Sequence, residues 1–157
     1  MGAFRLRKDS RSWFKDLYGK NAFTMDFDAY YYCLVAGLAA ERCRDLPASD
    51  TSELVEYFPG RYKDKAKIIV ALFLSRELGR VGVDLTEKKS AHSVISILVQ
   101  PDSPNHLSDE GTKQMNRYAA GGFEVLTEWF EDRPRNLDVF LQLFSTRLDK
   151  NERPFLL

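Results

Sequence analysis

The sequence has 157 residues, of which 44% are hydrophobic and 13% aromatic, and its formal net charge at pH 7 is zero. This composition argues against intrinsic disorder, and the length suits one domain with its own hydrophobic core. No apolar run approaches the roughly 20 residues of a membrane span, and no signal peptide is visible, so we expect a cytoplasmic protein without a membrane partner.

We predict a mainly α-helical fold for residues 1–157, a single-domain helical bundle with one short N-terminal β-strand. Within it, residues 1–44 form a strand–helix–helix start, and residues 45–157 form a helical extension. Residues 4–7 alternate apolar and basic side chains, which is the period-two pattern of a short, half-buried strand.

The first predicted helix covers residues 9–18. Its Arg11 and Lys15 lie four positions apart and face away from its apolar side chains, so they give solvent a basic ridge. The segment Gly19-Lys20-Asn21 ends the helix and makes a turn.

The next helix, predicted over residues 26–44, has two distinct apolar faces. One face is bulky and consists of Phe27, Tyr30, Tyr31, Leu34, Val35 and Leu38. The other face carries only small side chains, from Ala29, Cys33, Ala36, Gly37 and Ala40. Because both faces allow close approach by other elements, we expect this helix to lie at the centre of the fold.

Further helices are predicted over residues 50–57, 65–78, 86–99, 108–132 and 137–148. The second of these is apolar nearly all round, which favours a buried helix, although a buried strand fits the periodicity as well. Ser108 can cap the long fourth helix, and Gly121-Gly122 allows it either a kink or a close crossing with another helix. An apolar tail, Pro154–Leu157, ends the chain.

Few side chains have the spacing of a metal or catalytic site. His92 and His106 show no metal-binding spacing, and we expect both at the surface. Asp26 and Asp28 could hold a magnesium ion with waters, or they could cap the helix that they begin. Tyr32 points away from the bulky face, where it could stack on a base or contact a phosphate. A tyrosine nucleophile for strand cleavage is conceivable here, and packing against another element is the alternative.

The basic residues suggest a DNA-binding surface. Arg5 and Arg7 lie on one face of the predicted strand, and a strand followed by two helices is the order found in ribbon–helix–helix DNA-binding proteins. In those proteins, strands from two protomers pair and enter a groove. Further cations could contact phosphates: Lys8, Arg11, Lys15, Arg61, Lys63, Lys65 and Lys67. Solvated helix faces are the alternative explanation of the same charges.

Two N-terminal segments carry a family resemblance. FRLRKDSRSWFKDL and FDAYYYCLVAGLAAER resemble the small subunits of bacterial DNA phosphorothioation systems, which include the DndE-like proteins and the nicking subunit of the single-strand sulfur-modification defence system. The resemblance covers residues 4–44 at motif level. It implies a subunit that engages DNA beside a cysteine desulfurase and an ATPase, while sulfur replaces a non-bridging phosphate oxygen. The long C-terminal extension departs from the DndE-like proteins and leaves homo-oligomer formation open.

If the nicking activity of that family applies, Asp26, Asp28 and Glu41 would hold a magnesium ion that activates a water, and Arg42 or Arg7 would offset charge in the transition state. The rival interpretation is a non-enzymatic helical adaptor, which docks partner proteins through its C-terminal helix and tail.

Overall fold

The structure is a computed structural model that describes residues 2–151. Its helices and strands are, in chain order, β1 (Arg5–Arg7), α1 (Ser10–Phe14), α2 (Asp26–Ala40), β2 (Thr51–Glu53), α3 (Ala66–Arg80), α4 (Lys88–Leu98), α5 (Asp109–Trp129) and α6 (Leu137–Asn151). The prediction of a mainly α-helical chain with a short N-terminal strand is therefore confirmed. The tail Pro154–Leu157 lies outside the described residues.

The chain folds into two compact units. Unit 1 comprises Met1–Phe4 and Glu53–Asn116, and unit 2 comprises Arg5–Ser52 and Arg117–Leu157. The N-terminal elements through α2 thus pack with the second half of α5 and with α6, so residues 1–44 do not form a unit by themselves.

Unit 2 contains the close helix crossing that the small side chains predict. A Cβ atom placed on Gly122 of α5 would clash with the carbonyl of Cys33 on α2, and a Cβ atom on Gly37 would clash with the carbonyl of Tyr118. Both glycines are therefore required by the close approach of the two backbones. The expectation that Gly121-Gly122 permits a close crossing is confirmed.

Aromatic rings fill the rest of the core of unit 2. The rings belong to Trp13, Phe14, Phe23, Tyr32, Phe123, Phe130, Phe140 and Phe144. Phe140 is fully buried at their centre, stacked on Phe130 at 5.3 Å between ring centroids and edge-on to Phe14 at 6.0 Å. Offset-stacked and edge-on pairs of this kind add to the stabilisation from burial alone.

The central helix α2 is shorter than predicted, because it ends at Ala40 instead of residue 44. Glu41 adopts a left-handed backbone conformation with φ 55°, which stops the helix. The N–H of Arg42 then donates to Gly37 O at 2.9 Å and satisfies a terminal carbonyl.

The helix predicted over residues 50–57 is wrong, because this segment contains the strand β2. Leu54 N donates to Phe4 O at 2.8 Å, and Lys8 N donates to Asp50 O at 3.0 Å, so the segment runs antiparallel to the N-terminal strand. Backbone groups that a helix would pair locally are instead paired with residues about 50 positions earlier in the chain.

In unit 1, α3 is a helix as predicted, but it is not buried all round. Phe73 and Ile69 lie in the core, whereas Ile68 is 64% exposed and Leu72 is 39% exposed. Apolar composition on every side therefore did not mean burial on every side.

The start of α5 follows the prediction closely. Ser108 is the residue before the helix, and its hydroxyl accepts a hydrogen bond from Gly111 N at 3.0 Å. This is the side-chain cap that the sequence predicts. Among residues 2–151, no helix is both long enough and apolar enough to cross a membrane.

Candidate nucleic-acid interface

The basic ridge, which we define as Lys8, Arg11 and Lys15, lies on the surface of unit 2. Phe14 in α1 and Leu17 in the following 3-10 turn are fully buried, which fixes the helix so that the ridge faces solvent. The Arg11 side chain is 75% exposed. The predicted exposure of Arg11 and Lys15 on this helix is thus confirmed.

The acidic neighbours of the ridge are already neutralised by arginines outside it. Arg7 Nη2 donates to Asp9 Oδ2 at 2.8 Å, and Arg133 Nη1 donates to Asp16 Oδ2 at 2.6 Å. The hydrogen bond from Arg133 lowers the pKa of the Asp16 carboxyl below its ordinary value. Among residues 2–151, by contrast, the two ridge lysines form no ion pair, so their charge remains available to an anion.

The two arginines of β1 have partners within the chain. Arg5 Nε donates to Thr51 Oγ1 at 2.9 Å. The Arg7 guanidinium lies 3.5 Å from Glu124 and 5.1 Å from the centre of the Phe123 ring. Because β1 pairs with β2 of the same chain, this strand differs from a ribbon–helix–helix strand, which pairs with a second protomer.

Arg42, for which a role in stabilising a transition state is predicted, is also held in an ion pair. Its guanidinium donates to both carboxylate oxygens of Glu128, and Arg44 donates to both oxygens of Glu124 at 2.7 and 3.0 Å. These hydrogen bonds lower the pKa of each glutamate. The pairs fix the segment after α2 against α5.

The carboxylates predicted to share a magnesium ion do not form one site. Asp28 is fully buried, and its Oδ2 accepts hydrogen bonds from Thr24 N at 2.8 Å and Met25 N at 3.2 Å, so it caps α2. Glu41 follows the other end of α2, about 22 Å from Asp26 at 1.5 Å per residue. The structure therefore does not bring these three carboxylates together.

Asp26 belongs instead to a small group that we call the Tyr18 cluster, formed by Arg11, Tyr18 and Asp26. Tyr18 Oη donates to Asp26 Oδ1 at 2.8 Å, and Arg11 Nη1 donates to Asp26 Oδ2 at 3.1 Å. The Arg11 guanidinium lies 5.8 Å from the centre of the Tyr18 ring. Since donors occupy both oxygens of Asp26 and Asp28 is buried, the two aspartates do not fit a magnesium ion with its waters.

Other metal-binding arrangements are also missing from the described part of the chain. No group of three or more His, Cys, Asp or Glu side chains there is placed to hold a metal ion. His92 and His106 are both exposed.

The Tyr18 cluster was not predicted, although the sequence contains a signal for it. Tyr18 and Asp26 flank the predicted turn at residues 19–21. In the structure, Phe23 N donates to Leu17 O at 2.9 Å and closes this turn, which brings the two flanks together. A tight turn between two helices predicts in general that side chains on its two sides can meet.

Tyr32 packs against the aromatic core of unit 2. Its ring is stacked on Phe23, with centroids 5.6 Å apart and planes within 7°, and meets Phe140 and Phe144 edge-on at 5.2 and 5.0 Å. Of the roles predicted for Tyr32, the structure supports packing, with one face of its ring covered by Phe23.

The second group of predicted DNA-binding cations lies in unit 1. Arg61 belongs to a 3-10 turn and packs over the Tyr62 ring at 5.3 Å. Lys63, Lys65 and Lys67 follow at the start of α3 and are all exposed. These cations belong to a different unit from the basic ridge.

No protein-family model, curated protein or solved structure matches this chain.

Proposed function

We propose that this chain binds DNA through its basic ridge, as a DNA-binding subunit of a bacterial DNA phosphorothioate-modification and defence system. The ridge supports the binding, because its lysines are exposed and unneutralised while the neighbouring acids are paired elsewhere. Exposed lysines and arginines neutralise backbone phosphates and release counterions, which drives association with DNA. The modification system is suggested by the resemblance of residues 4–44 alone.

The remaining charges suggest that partner subunits contribute to DNA affinity. The chain has no net charge, and several arginines of unit 2, including Arg7, Arg42 and Arg44, are bound to carboxylates. A cysteine desulfurase and an ATPase, the partners that the resemblance implies, would supply further contacts and the sulfur chemistry.

The test is a salt titration of DNA binding with two matched double variants. Lys8→Ala with Lys15→Ala removes two charges from the ridge, and Lys88→Ala with Lys89→Ala removes two exposed charges from α4 in unit 1. We expect the ridge variant to bind more weakly and to lower the slope of log K against log salt by about 2, since each phosphate contact contributes about 0.9. The α4 variant should bind as the wild type does.

Equal affinities and equal slopes for the wild type and both variants would contradict the ridge as the binding surface. Lack of salt-dependent DNA binding by the wild type would contradict the DNA-binding function itself.

A second candidate function, the helical adaptor, is favoured by one feature of α6. Val139 is 53% exposed and Leu143 is 43% exposed, and the two lie one turn apart on the same face of the helix. Apolar side chains in this arrangement can enter a groove on a partner protein. The adaptor function predicts no salt-dependent DNA binding and no effect of the ridge lysines, so the same titration separates the two functions.

A further inference from the structure

We propose that Tyr18 is the nucleophile of a DNA-nicking site, with Asp26 as its general base and Arg11 as the group that binds the attacked phosphate. This inference rests on the proposed DNA-binding function and extends it by naming a reaction that requires no metal ion. It replaces the magnesium site that the sequence suggested at Asp26 and Asp28.

The Tyr18 hydroxyl has the geometry of an activated nucleophile. Tyr18 Oη donates to Asp26 Oδ1 at 2.8 Å, which is the separation expected between a nucleophile and the base that activates it. The Tyr18 ring meets the Phe23 ring edge-on at 5.8 Å, and the turn between them is closed by backbone hydrogen bonds. The hydroxyl is thus held by packed side chains and not by a free loop.

The Tyr18 phenol keeps its proton until a base removes it. Partial burial, together with the hydrogen bond to Asp26, raises the pKa of Tyr18 above its ordinary value. The side chain is therefore a neutral phenol at physiological pH, and it becomes a good nucleophile only when an adjacent base takes the proton during attack. Asp26 is the carboxylate in contact with that proton.

The Tyr18 cluster lies beside the basic ridge, because Arg11 belongs to both. The Asp26 side chain is 38% exposed and the Arg11 side chain 75% exposed, so both are open to solvent. A phosphodiester drawn to the ridge by Lys15 would meet the Arg11 guanidinium, whose planar donors suit phosphate oxygens. Binding of phosphate to Arg11 would also compete with the ion pair between Arg11 and Asp26.

The reaction is a transesterification without oxidation or reduction. Tyr18 Oη attacks the phosphorus, a new P–O bond to the tyrosine forms, and the bond from phosphorus to one deoxyribose oxygen breaks. The phenol proton passes to Asp26 and from there, through water, to the departing oxygen. The products are a phosphotyrosyl-linked strand end and a free hydroxyl, so an open circle formed from a supercoiled plasmid carries the protein covalently.

The experiment incubates the full chain with supercoiled plasmid in EDTA and in magnesium, and stops the reaction with detergent. We expect open circles in both conditions. Because these circles carry the protein covalently, phenol extraction should remove them from the aqueous phase unless protease is added first. After nuclease digestion, Tyr18 should be phosphorylated. Tyr18→Phe should abolish the adduct, while its ring packing is retained. Asp26→Asn should slow the reaction by roughly 10²- to 10⁴-fold, the range for a general base.

Tyr57→Phe is the matched control, because Tyr57 is an exposed tyrosine of unit 1, and it should nick as the wild type does. Circular dichroism and the salt titration on each variant show whether folding and DNA binding are preserved. Open circles that carry no protein, nicking only in magnesium, or nicking by Tyr18→Phe would each overturn the inference. Salt-dependent binding without any nicking would overturn it too and leave the DNA-binding function standing, whereas absence of both would overturn both proposals.

Discussion

Unit 2 and unit 1 differ in how many of their large apolar side chains are exposed to solvent. In unit 2, aromatic rings and a close helix crossing leave few of these side chains in solvent, and the exposed ones among residues 2–151 are Val139 and Leu143. Unit 1 exposes Tyr57, Ile68, Leu72, Val81, Leu85 and Ile97. The closely packed unit 2 provides a firm support for polar groups.

This difference gives a physical reason why the candidate site lies in unit 2. A hydroxyl, a carboxylate and a guanidinium can act together only if their supporting elements hold them within a fraction of an ångström. Arg11 lies on α1, which is anchored by the buried Phe14, and Asp26 opens α2, which is locked against α5 by Gly122. If unit 2 is the more closely packed unit, substitutions in its core should cost more stability than substitutions in unit 1.

The largest effect is expected at Phe140. Phe140→Ala removes a fully buried ring that contacts five other aromatic side chains, and it should lower the free energy of unfolding by about 3–5 kcal/mol. Val139→Ala, one position earlier but 53% exposed, should change it by less than about 0.5 kcal/mol. Urea denaturation measures both. A small effect at Phe140 would mean that the aromatic core of unit 2 is not closely packed.

A glycine in each unit provides the next comparison. In Gly122→Ala, the new methyl group would clash with the Cys33 carbonyl of α2, so the two helices must move apart at a cost of about 1–3 kcal/mol. In Gly79→Ala, near the end of α3, the new methyl group meets nothing within 4 Å. That change should stabilise the protein by about 0.5–1 kcal/mol through helix propensity. In thermal denaturation, we expect the melting temperature to fall for Gly122→Ala and to rise for Gly79→Ala. A change in the same direction for both variants would contradict the close crossing.

A smaller effect is expected in unit 1 from the cap of α5. Ser108→Ala removes the hydrogen bond that Gly111 N donates to the hydroxyl, and also the one that the hydroxyl donates to Ile97 O at 2.6 Å. The change should cost about 1 kcal/mol in urea denaturation. Ser90→Ala, at an exposed position within α4, is the control and should be nearly neutral. Loss of stability at both serines alike would show that the cap itself contributes little.

Local patterns in the sequence predicted the start of α5, the close crossing of α2 and α5, and the exposure of Arg11 and Lys15 correctly. Ser108 and the apolar periodicity after it predict the start of α5, and small side chains on α2 together with Gly121-Gly122 predict the crossing. Arg11 and Lys15, four apart and opposite the buried Phe14, predict the ridge. In each case the physical cause lies within one or two turns of the residues concerned.

The features that could not be predicted depend on partners far along the chain. Residues 51–53 form a strand because a strand 46 positions earlier pairs with them, and Arg42 is neutralised by a glutamate 86 positions later. The exposure of Ile68 on α3 depends on which faces of the helix find a neighbour. The Tyr18 cluster depends on the closed form of a turn, which composition alone does not specify.

The smallest effect is expected from the ion pairs that hold the segment after α2 in unit 2. Their arginines lower the pKa of Glu124 and Glu128 in the folded protein. The stability they contribute is therefore present above the ordinary glutamate pKa and is lost as the pH falls through the lowered folded pKa. Because the pairs are partly exposed to solvent, we expect their contribution to stability to be small at neutral pH and smaller still in high salt.

The measurement compares wild type with Glu124→Gln/Glu128→Gln in thermal denaturation from pH 7 to pH 3, at low and high salt. The wild type should be the more stable at pH 7, and the difference should vanish in acid and shrink in salt. Asp84→Asn in unit 1 is the contrast, because hydrogen bonds from Thr86, and not a cation, lower the pKa of Asp84. Its effect should fade in acid as well but respond little to salt, so an equal salt response in the two units would contradict the ion-pair assignment.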